Sequence, residues 1–429
     1  MSESGYHPGM EVRLSEEERA MLAGEQGPAT RLAASILYRM APMYGATSLL
    51  PVTRAHIDGV IYTGNSGLYF AEHLADLGAR VAVPTTLNVG SVDRERWREI
   101  GQTPEYASSA RRLGEAYLRM GAQPTFTCAP YQHGHVPAFG EQIAWSESNA
   151  VAYANSVLGA RTNRYGDYLD ICCAITGRVP AAGLHLDDNR RATCLITLQG
   201  IPTRLQERDD FYPVLGYAIG DLVPGEVPAI AGLTVQPTSD QLKALSAGAA
   251  SSGDVALFHL IGITPEAPTQ RAAFGGRSPE RTQELRLADL RKTRDTLSSA
   301  TGDAVDVVAF GSPHCSLAEC RQLATLMHGL LAAPGVQVFI TTSRAVRELL
   351  DKSGDLAVLE AFGAEVTADT CIVVAPLVKP GARVLMTNSA KYAHYGPGML
   401  GVGSVFGSME ECVESAVLGR VVRDDGAWN

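Results

Sequence analysis

The sequence predicts an α/β protein of several lobes, in which mostly parallel sheets are flanked by helices. Its 429 residues exceed the ~150 residues of a typical domain, so two or three lobes are expected. From residue 56 onward, short apolar runs alternate with helical stretches, and glycine, proline or asparagine separates them. Residues 305–376 then follow the order strand, loop, capped helix, strand, helix and strand, which is typical of a parallel βαβαβ unit.

The first lobe is predicted to begin with helices. Ser15 and Glu18 form a capping-box pattern that predicts a helix start, and residues 29–40 carry helical apolar spacing. The α/β pattern continues in alternating segments at residues 56–62, 68–77 and 80–84. The chain becomes polar and then proline-rich around residues 204–217, where we place the end of this lobe.

The two later lobes are predicted from their own start signals. Thr238 and Gln241 form a second capping box, and the apolar run at residues 255–263 predicts a buried strand. The highly charged residues 271–294 predict a loop followed by a solvated helix without a functional role. The βαβαβ unit has its strands at VDVVAF, VQVFITT and TCIVVAP, and Ser316 with Glu319 marks the start of the helix after the first strand. We expect lobes at residues 1–217, 218–300 and 301–429.

Composition and charge exclude several classes of protein. The 36 basic and 46 acidic residues give a net charge of −10, and no run of lysine and arginine is dense enough to bind along a phosphate backbone. Neither nucleic acid nor a membrane is therefore expected as a partner. The N-terminal sequence lacks a signal pattern and no apolar run reaches about 18 residues, so we expect a soluble, cytoplasmic protein. Eight cysteines are too few for a disulfide scaffold and remain available for packing, metal binding or catalysis.

Three segments are polar but carry few charges, and they are candidates for substrate binding. Arg161 comes two residues after Gly159, and its guanidinium fork suits a carboxylate or a phosphate, so a small anionic substrate is expected. For residues 147–163 alone, a helix end with buried caps is an equally good interpretation. The candidate substrate-binding residues are Gly64, Asn65, Ser66, Thr85, Thr86, Asn88, Asn155, Arg161, Thr162 and Asn163, and Ser148 is a candidate catalytic residue.

The cysteines differ in their sequence context. Cys128 and Cys371 each lie near a strand edge and a proline, and thiolates on such loops could bind iron or zinc. His314 and Cys315 follow a predicted strand and precede a capped helix, the usual place for a site in an open α/β sheet, although such a pair is often structural. The chain contains no CxxC motif, so spacing alone does not require a metal. Four other cysteines lie among apolar residues and are predicted to pack as small hydrophobic side chains: Cys172, Cys173, Cys194 and Cys412.

A polar, glycine-flanked loop is predicted at residues 387–398. Lys391, Tyr392 or His394 could transfer a proton there, and the alternative is an exposed loop without a function. The chain has neither a GxxxxGK[ST] nor a GxSxG motif, which argues against nucleotide binding and against an α/β-hydrolase triad.

Together, TCAPY, GEQIAWSESNAVAYANSVLGARTN, CCAITGRVP, TPEAP, GSPHCS, ADTC and TNSAKYAHYGPG resemble the aconitase X family, a branch of the aconitase superfamily. The resemblance covers nearly the whole chain. It implies an aconitase-like α/β architecture, a hydro-lyase (dehydratase) activity and an iron-sulfur centre. One branch of the family resembles a cis-3-hydroxy-L-proline dehydratase and another resembles a mevalonate 5-phosphate dehydratase.

The resemblance also implies ligands and a partner. It assigns Cys128 and Cys371 as iron ligands, but Ser312 stands where the family's GCPH motif has a third cysteine. Cys315 could replace that ligand, Ser312 could bind weakly, or the protein could hold a mononuclear iron or no metal. The family's small swivelling part is not matched by this chain, so that part is expected to be absent or, preferably, a separate small subunit.

The expected reaction is the elimination of water from a small hydroxylated carboxylic acid. Arg161 would hold the carboxylate, neutral donors such as Asn155 would line the site, and Lys391 or His394 would move protons. A single strong anion site favours one carboxylate over a phosphorylated substrate, so cis-3-hydroxy-L-proline is the preferred substrate. The alternatives are the large subunit of a mevalonate 5-phosphate dehydratase and a non-catalytic ligand-binding or scaffold subunit.

Overall fold

The computed structural model describes residues 11–428. The first ten residues, from which part of the prediction of a missing signal sequence came, lie outside this range. Among the described residues, no helix combines the length and the apolar character needed to cross a bilayer. The predicted α/β class with several parallel sheets flanked by helices is confirmed.

The structure contains sixteen α-helices and fourteen strands within residues 11–428. The helices are α1 Glu16–Ala23, α2 Pro28–Met40, α3 Asn65–Asp76, α4 Pro104–Arg119, α5 Ser148–Tyr153, α6 Leu169–Thr176, α7 Thr203–Gln206, α8 Phe211–Leu222, α9 Ser239–Gly253, α10 Gln270–Ala273, α11 Leu287–Thr296, α12 Leu317–Met327, α13 Arg344–Ser353, α14 Asp355–Phe362, α15 Ala390–Tyr395 and α16 Met409–Leu418. The strands are β1 Leu49–Pro51, β2 Ala55–Ile57, β3 Thr85–Leu87, β4 Ala144–Trp145, β5 Arg178–Pro180, β6 Cys194–Gln199, β7 Pro228–Ala231, β8 His259–Leu260, β9 Arg281–Arg286, β10 Val307–Cys315, β11 Gln337–Thr342, β12 Ala364–Ala368, β13 Val384–Thr387 and β14 Gly403–Phe406.

The chain forms two compact units. Unit 1 consists of the described parts of Met1–Ser91 and Thr103–Arg191, and unit 2 consists of those of Val92–Gln102 and Ala192–Asn429. The predicted lobe boundary at residues 217 and 218 falls inside α8, whereas the chain passes from unit 1 to unit 2 after residue 191. The division into three lobes at the predicted positions stays a prediction.

Unit 1 is built on a short parallel sheet of order β3-β2-β4, beside an antiparallel pair of β1 and β5. Alternate residues of β2 point to opposite faces. Ala55 and Ile57 therefore enter the apolar core with Leu68, Leu113 and other residues of the surrounding helices, while His56 points to the other face.

Unit 2 contains two parallel sheets, of orders β8-β7-β6-β9 and β12-β11-β10-β13-β14. In the five-stranded sheet, Val308 and Phe310 of β10 enter one apolar cluster, and Val307 and Ala309 enter a second. Because neighbouring residues of a strand face opposite ways, the two clusters cover opposite faces of this sheet.

Several predicted elements are confirmed. The capping boxes at Ser15, Thr238 and Ser316 are all present. Residues 147–163 begin with α5 and continue as a π-helical turn at Ala154–Leu158.

Other predicted elements are wrong. The charged segment at residues 271–294 ends in the predicted solvated helix, α11, but its predicted loop contains strand β9, which pairs with β6 at the sheet edge, where charged side chains are common. TCIVVAP is not a strand, since β12 ends at Ala368 and Asp369 adopts a left-handed φ of 66°. The predicted loop at residues 387–398 contains α15, capped by Ser389.

Helices α8 and α9 approach each other through glycines. A Cβ atom on Gly248 would lie 2.6 Å from the Pro213 carbonyl oxygen, and one on Gly253 would lie 1.9 Å from the Gly220 oxygen. These distances leave no room for a side chain, so backbone packs directly on backbone at this crossing.

We predict that Gly248→Ala lowers the free energy of unfolding by about 1–3 kcal/mol, because the added methyl group must push the two helices apart. Urea titration measures the change. Gly398→Ala is the matched control, since a Cβ there meets no atom within 4 Å, and its effect should stay within about 0.5 kcal/mol. Equal stability of the two variants would contradict this account of the helix crossing.

Candidate active site

The polar residues of unit 1 meet where its parallel strands end. Asp58 follows β2, Asn88 follows β3 and Glu147 is two residues beyond β4. The Asn88 side-chain amide donates to an Asp58 carboxylate oxygen and to Glu147 Oε2, the latter over 2.8 Å. Asn88 is fully buried and Glu147 is 6% exposed. One amide group thus holds two carboxylates together at the edge of the sheet.

Glu147 also connects this cluster to Cys128. Its Oε1 accepts hydrogen bonds from Ser148 Oγ at 3.2 Å and from the Asn149 amide at 3.4 Å, which caps α5. The Asn149 side chain in turn donates to the Cys128 carbonyl oxygen over 2.9 Å. The loop that carries the Cys128 thiol is therefore fixed to the same strand ends.

A buried carboxyl group supports the turn after β2. Asp170 Oδ2 accepts the backbone N–H groups of Asp58 at 2.8 Å and Gly59 at 3.0 Å. Burial raises the pKa of Asp170 to about 7, against the opposing effect of these amide donors. Asp170 therefore fixes the backbone of Asp58 and Gly59, and with it the position of the Asp58 side chain.

His56 is a neutral histidine with a defined tautomer. Its Nδ1 lies 2.8 Å from Thr86 Oγ1, and that hydroxyl donates its own proton to the Ala55 carbonyl at 3.3 Å. Thr86 must therefore accept from His56 Nδ1–H, which leaves Nε2 unprotonated. Nε2 is buried without a hydrogen-bond partner, and burial lowers the pKa of His56 to about 3.

The other predicted residues of unit 1 mostly bind neighbouring parts of the unit. Arg161 forms an ion pair of 2.5 Å with Asp187, an aspartate whose side chain is 76% exposed. Asn155 exchanges two hydrogen bonds with the Thr162 backbone, and the Asn163 side chain donates to the Ala182 carbonyl. Their roles in substrate binding stay predictions.

The remaining residues of this predicted set lie elsewhere in unit 1. Thr85 donates to the Val83 carbonyl. Gly64 precedes α3, and Asn65 and Ser66 lie in its first turn, where they contact the hydroxyls of Tyr62 and Tyr168.

In unit 2, Ser312 lines a cavity of about 40 Å³ together with Lys243, Cys315 and Ser389. This small cavity shares the lining residues Glu319 and Asn388 with a second cavity of about 350 Å³. The other polar residues that line the second cavity include Asp209, Asp240 and Gln241. The position at which the family motif has a cysteine therefore borders an internal space.

The two cysteines predicted in unit 2 lie in different apolar clusters. Cys315 packs with Phe310 and hydrogen-bonds to Cys320, whereas Cys371 belongs to the cluster of Val307 on the opposite face of the sheet. Cys371 is 6% exposed and follows the end of β12. Only Cys371 of this pair lies on a loop beyond a strand end.

The candidate proton carriers Lys391 and His394 both lie on α15. His394 Nδ1 and the Tyr217 hydroxyl share a hydrogen bond of 2.9 Å. Burial lowers the pKa of His394, so its imidazole is neutral near neutral pH and can accept a proton.

Within residues 11–428, no group of three or more histidine, cysteine or acidic side chains is arranged to hold a metal ion. Cys128 belongs to unit 1 and Cys371 to unit 2. Cys371 lies on a loop beyond the parallel strand β12, and Cys128 lies on a loop fixed by Asn149, so both thiols belong to loops on which a thiolate could bind iron.

Parallel sheets with polar residues beyond their strand ends define an α/β protein of the kind in which such edges usually form the ligand site. The chain belongs to the aconitase X family. Family models for the first, second and third aconitase X domains match residues 11–188, 192–295 and 305–418.

Individual relatives cover most of the chain. A cis-3-hydroxy-L-proline dehydratase of Pseudomonas aeruginosa is 52% identical over 97% of this chain and 72% of its own length. One of Hypocrea jecorina is 44% identical over 95% of this chain and 69% of its length. The phosphomevalonate dehydratase large subunit of Methanothermobacter thermautotrophicus is 40% identical over 92% and 96%, respectively. The crystal structure of Thermococcus kodakaraensis aconitase X in its holo-form has a TM-score of 0.83 at 34% identity, covering 94% of this chain and all of that one.

Sequence reasoning missed His56, Asp58, Glu147 and Asp170 as parts of the cluster. Position is the signal for Asp58 and Glu147, because each follows a short strand of the same parallel sheet. Asp170 lies in an apolar helix far along the chain, and no local pattern connects it to β2.

We predict that buried, neutral His56 makes the protein less stable in acid. Its pKa is lowered on folding, so the unfolded chain binds the proton first, and stability is lost as pH falls below about 6.5. Between about pH 7 and pH 5, His56→Gln should lose about 2 kcal/mol less stability than the parent chain in urea titrations. The exposed His73→Gln should follow the parent, and the same slope for His56→Gln would refute this account.

Proposed function

We propose that this protein is a hydro-lyase that removes water from cis-3-hydroxy-L-proline. The observation that carries the proposal is 52% identity to a dehydratase of this name along almost the whole chain. The elimination takes a proton from Cα and the hydroxyl group from the neighbouring carbon. The enamine first formed then tautomerises to a cyclic imine.

A base must remove the Cα proton, and Glu147 is our candidate for this role in unit 1. Its carboxylate is held by Asn88 on one oxygen and by Ser148 on the other, so its orientation is fixed before substrate arrives. Asn88 donates to Asp58 as well, which prevents the amide from turning away. In unit 2, neutral His394 is the candidate for the second proton transfer.

Substrate binding is assigned to Arg161 and to the hydroxyl and amide side chains near it. Arg161 is paired with an aspartate whose side chain is mostly exposed, and a substrate carboxylate can replace such a partner at little cost. A carboxylate accepts both N–H groups of the guanidinium fork, which fixes the ring of the substrate relative to the strand ends.

The family resemblance makes Cys128 of unit 1 and Cys371 of unit 2 the candidate iron ligands, and Ser312 stands at the third ligand position of the family motif. Bound iron would supply a Lewis acid that assists the departure of the hydroxide. Cys315 is left out of this set because it packs against Cys320 on the other face of the sheet from Cys371.

A separate small subunit is the proposed partner. This chain covers 96% of a relative named as a large subunit, but only 72% of the Pseudomonas dehydratase, which therefore has a part that this chain does not match. A second chain would supply that part. The same large-subunit relative supports the alternative function, dehydration of a phosphorylated mevalonate.

The test of the reaction is to incubate the anaerobically purified chain, with its small subunit once identified, with cis-3-hydroxy-L-proline and with mevalonate 5-phosphate. We expect the cyclic imine from the first substrate and no anhydro product from the second. Conversion of only the phosphorylated substrate would overturn the proposal in favour of the alternative.

We predict that Cys128→Ser and Cys371→Ser each lose most of the bound iron, because each removes one thiolate ligand. Cys315→Ser and Cys412→Ser are matched controls, since Cys315 ends strand β10 and hydrogen-bonds to Cys320 while Cys412 lies inside helix α16, and both variants should keep iron at the parent level. Iron per chain after anaerobic reconstitution is the measurement. Iron loss in Cys315→Ser with none in Cys371→Ser would reverse the assignment.

A further inference from the structure

We propose that Arg344 and Asp369 position the Cys371 thiol, and that His314 supports the same loop, so that these three residues set how tightly iron is held. The inference rests on the proposed role of Cys371 as an iron ligand. All three are positioning residues, because they lie outside the proposed set of iron ligands and outside the proposed set of catalytic residues.

The loop before Cys371 has an unusual backbone that needs external support. Asp369 has a φ of 66°, in the left-handed region that few residues other than glycine enter without cost. This turn ends β12 and directs the next two residues away from the sheet. A side chain two residues from the thiol therefore decides where the thiol points.

Arg344 holds that turn. Its Nη2 pairs with Asp369 and, over 2.9 Å, with Asp93, while its Nη1 reaches Glu95 over 2.7 Å. Asp93 is fully buried and Asp369 is 3% exposed, so the guanidinium is the counter-charge for two carboxylates that water does not reach freely. If one partner moved away, a buried charge would be left without its counter-charge, which is costly. The three side chains therefore stay together, and the arrangement is rigid.

The segment Val92–Gln102 anchors the other end of this ion cluster. Asp93 accepts the Ala368 amide at 3.2 Å, and the Arg94 backbone N–H donates to Asp369. These contacts fix the last residue of β12 and the left-handed residue after it from the same short segment. The segment is far from Cys371 in sequence, yet it belongs to the same compact unit.

His314 holds the next residue of the loop. Its Nε2 donates to the Thr370 carbonyl over 3.1 Å, since a carbonyl can only accept. The His314 carbonyl is itself fixed by the buried Lys243 ammonium at 3.2 Å. The GSPH segment, which carries Ser312, is thus tied directly to the residue before Cys371.

The test uses Arg344→Gln, and Asp369→Asn as a milder variant that keeps the tolerance for a left-handed backbone. We expect each to hold iron about 10- to 100-fold more weakly in a chelator competition, the usual effect of losing a group that orients a ligand. Arg96→Gln is the matched control. Arg96 also connects the 92–102 segment to β12, through an ion pair with Glu365. Glu365 is six residues from Cys371, so this ion pair does not hold the turn next to the thiol.

A second readout does not depend on iron. In the metal-free chain, the rate of Cys371 alkylation by iodoacetamide, followed by peptide mass mapping, should rise about tenfold in Arg344→Gln as the loop opens locally. The rate at fully buried Cys412 should not change, which also shows that the variant remains folded.

Unchanged iron affinity and unchanged Cys371 alkylation in both variants would overturn the inference. If Cys371→Ser keeps its iron, the ligand assignment fails and the inference with it. Faster alkylation together with weaker iron binding in both variants, but not in Arg96→Gln, supports it.

Discussion

The parallel pairing of short strands is the constraint on which the rest of this structure depends. Parallel strands place their carboxyl ends at one edge, so residues that are distant in sequence meet there. In unit 1 this edge collects Asp58, Asn88 and Glu147, and the Asn88 amide holds the two carboxylates. In unit 2 it places Cys371 beyond β12. The chemistry that we propose needs carboxylates, neutral donors and thiols in fixed positions, and this geometry supplies them.

The fold and the family could be predicted from the sequence because their signals are local. Capping boxes such as Ser316 with Glu319 depend on residues three apart, and the ESNAVAYANSVLGARTN run lies in one segment. The partners of Asp170 and Arg344 could not be predicted this way. Asp170 lies 112 positions from Asp58, and Arg344 lies 251 positions from Asp93, so only the folded chain brings these pairs together.

Two elements were predicted wrongly for the same reason: their sequences lack a periodic pattern of apolar residues. Strand β9 is charged because it lies at a sheet edge, and α15 is polar because it carries the residues of a candidate site. Periodic apolar patterns identify elements that bury a continuous face, whereas β9 buries only Leu285, and α15, which buries Ala390, Tyr392 and Ala393, has only six residues in which to show a helical period. Cys315 illustrates the converse, since its place in the GSPHCS motif does not reveal that its side chain enters the apolar core.

The central claim is that the proposed dehydration uses iron, so the proposed substrate should perturb the bound metal. The most direct measurement is the visible and electron paramagnetic resonance spectrum of the iron-reconstituted protein, titrated anaerobically with cis-3-hydroxy-L-proline. The account predicts that the iron signals shift as the substrate binds, with trans-4-hydroxy-L-proline as an inactive comparison. Turnover of the substrate with no change in either spectrum at saturation would contradict it.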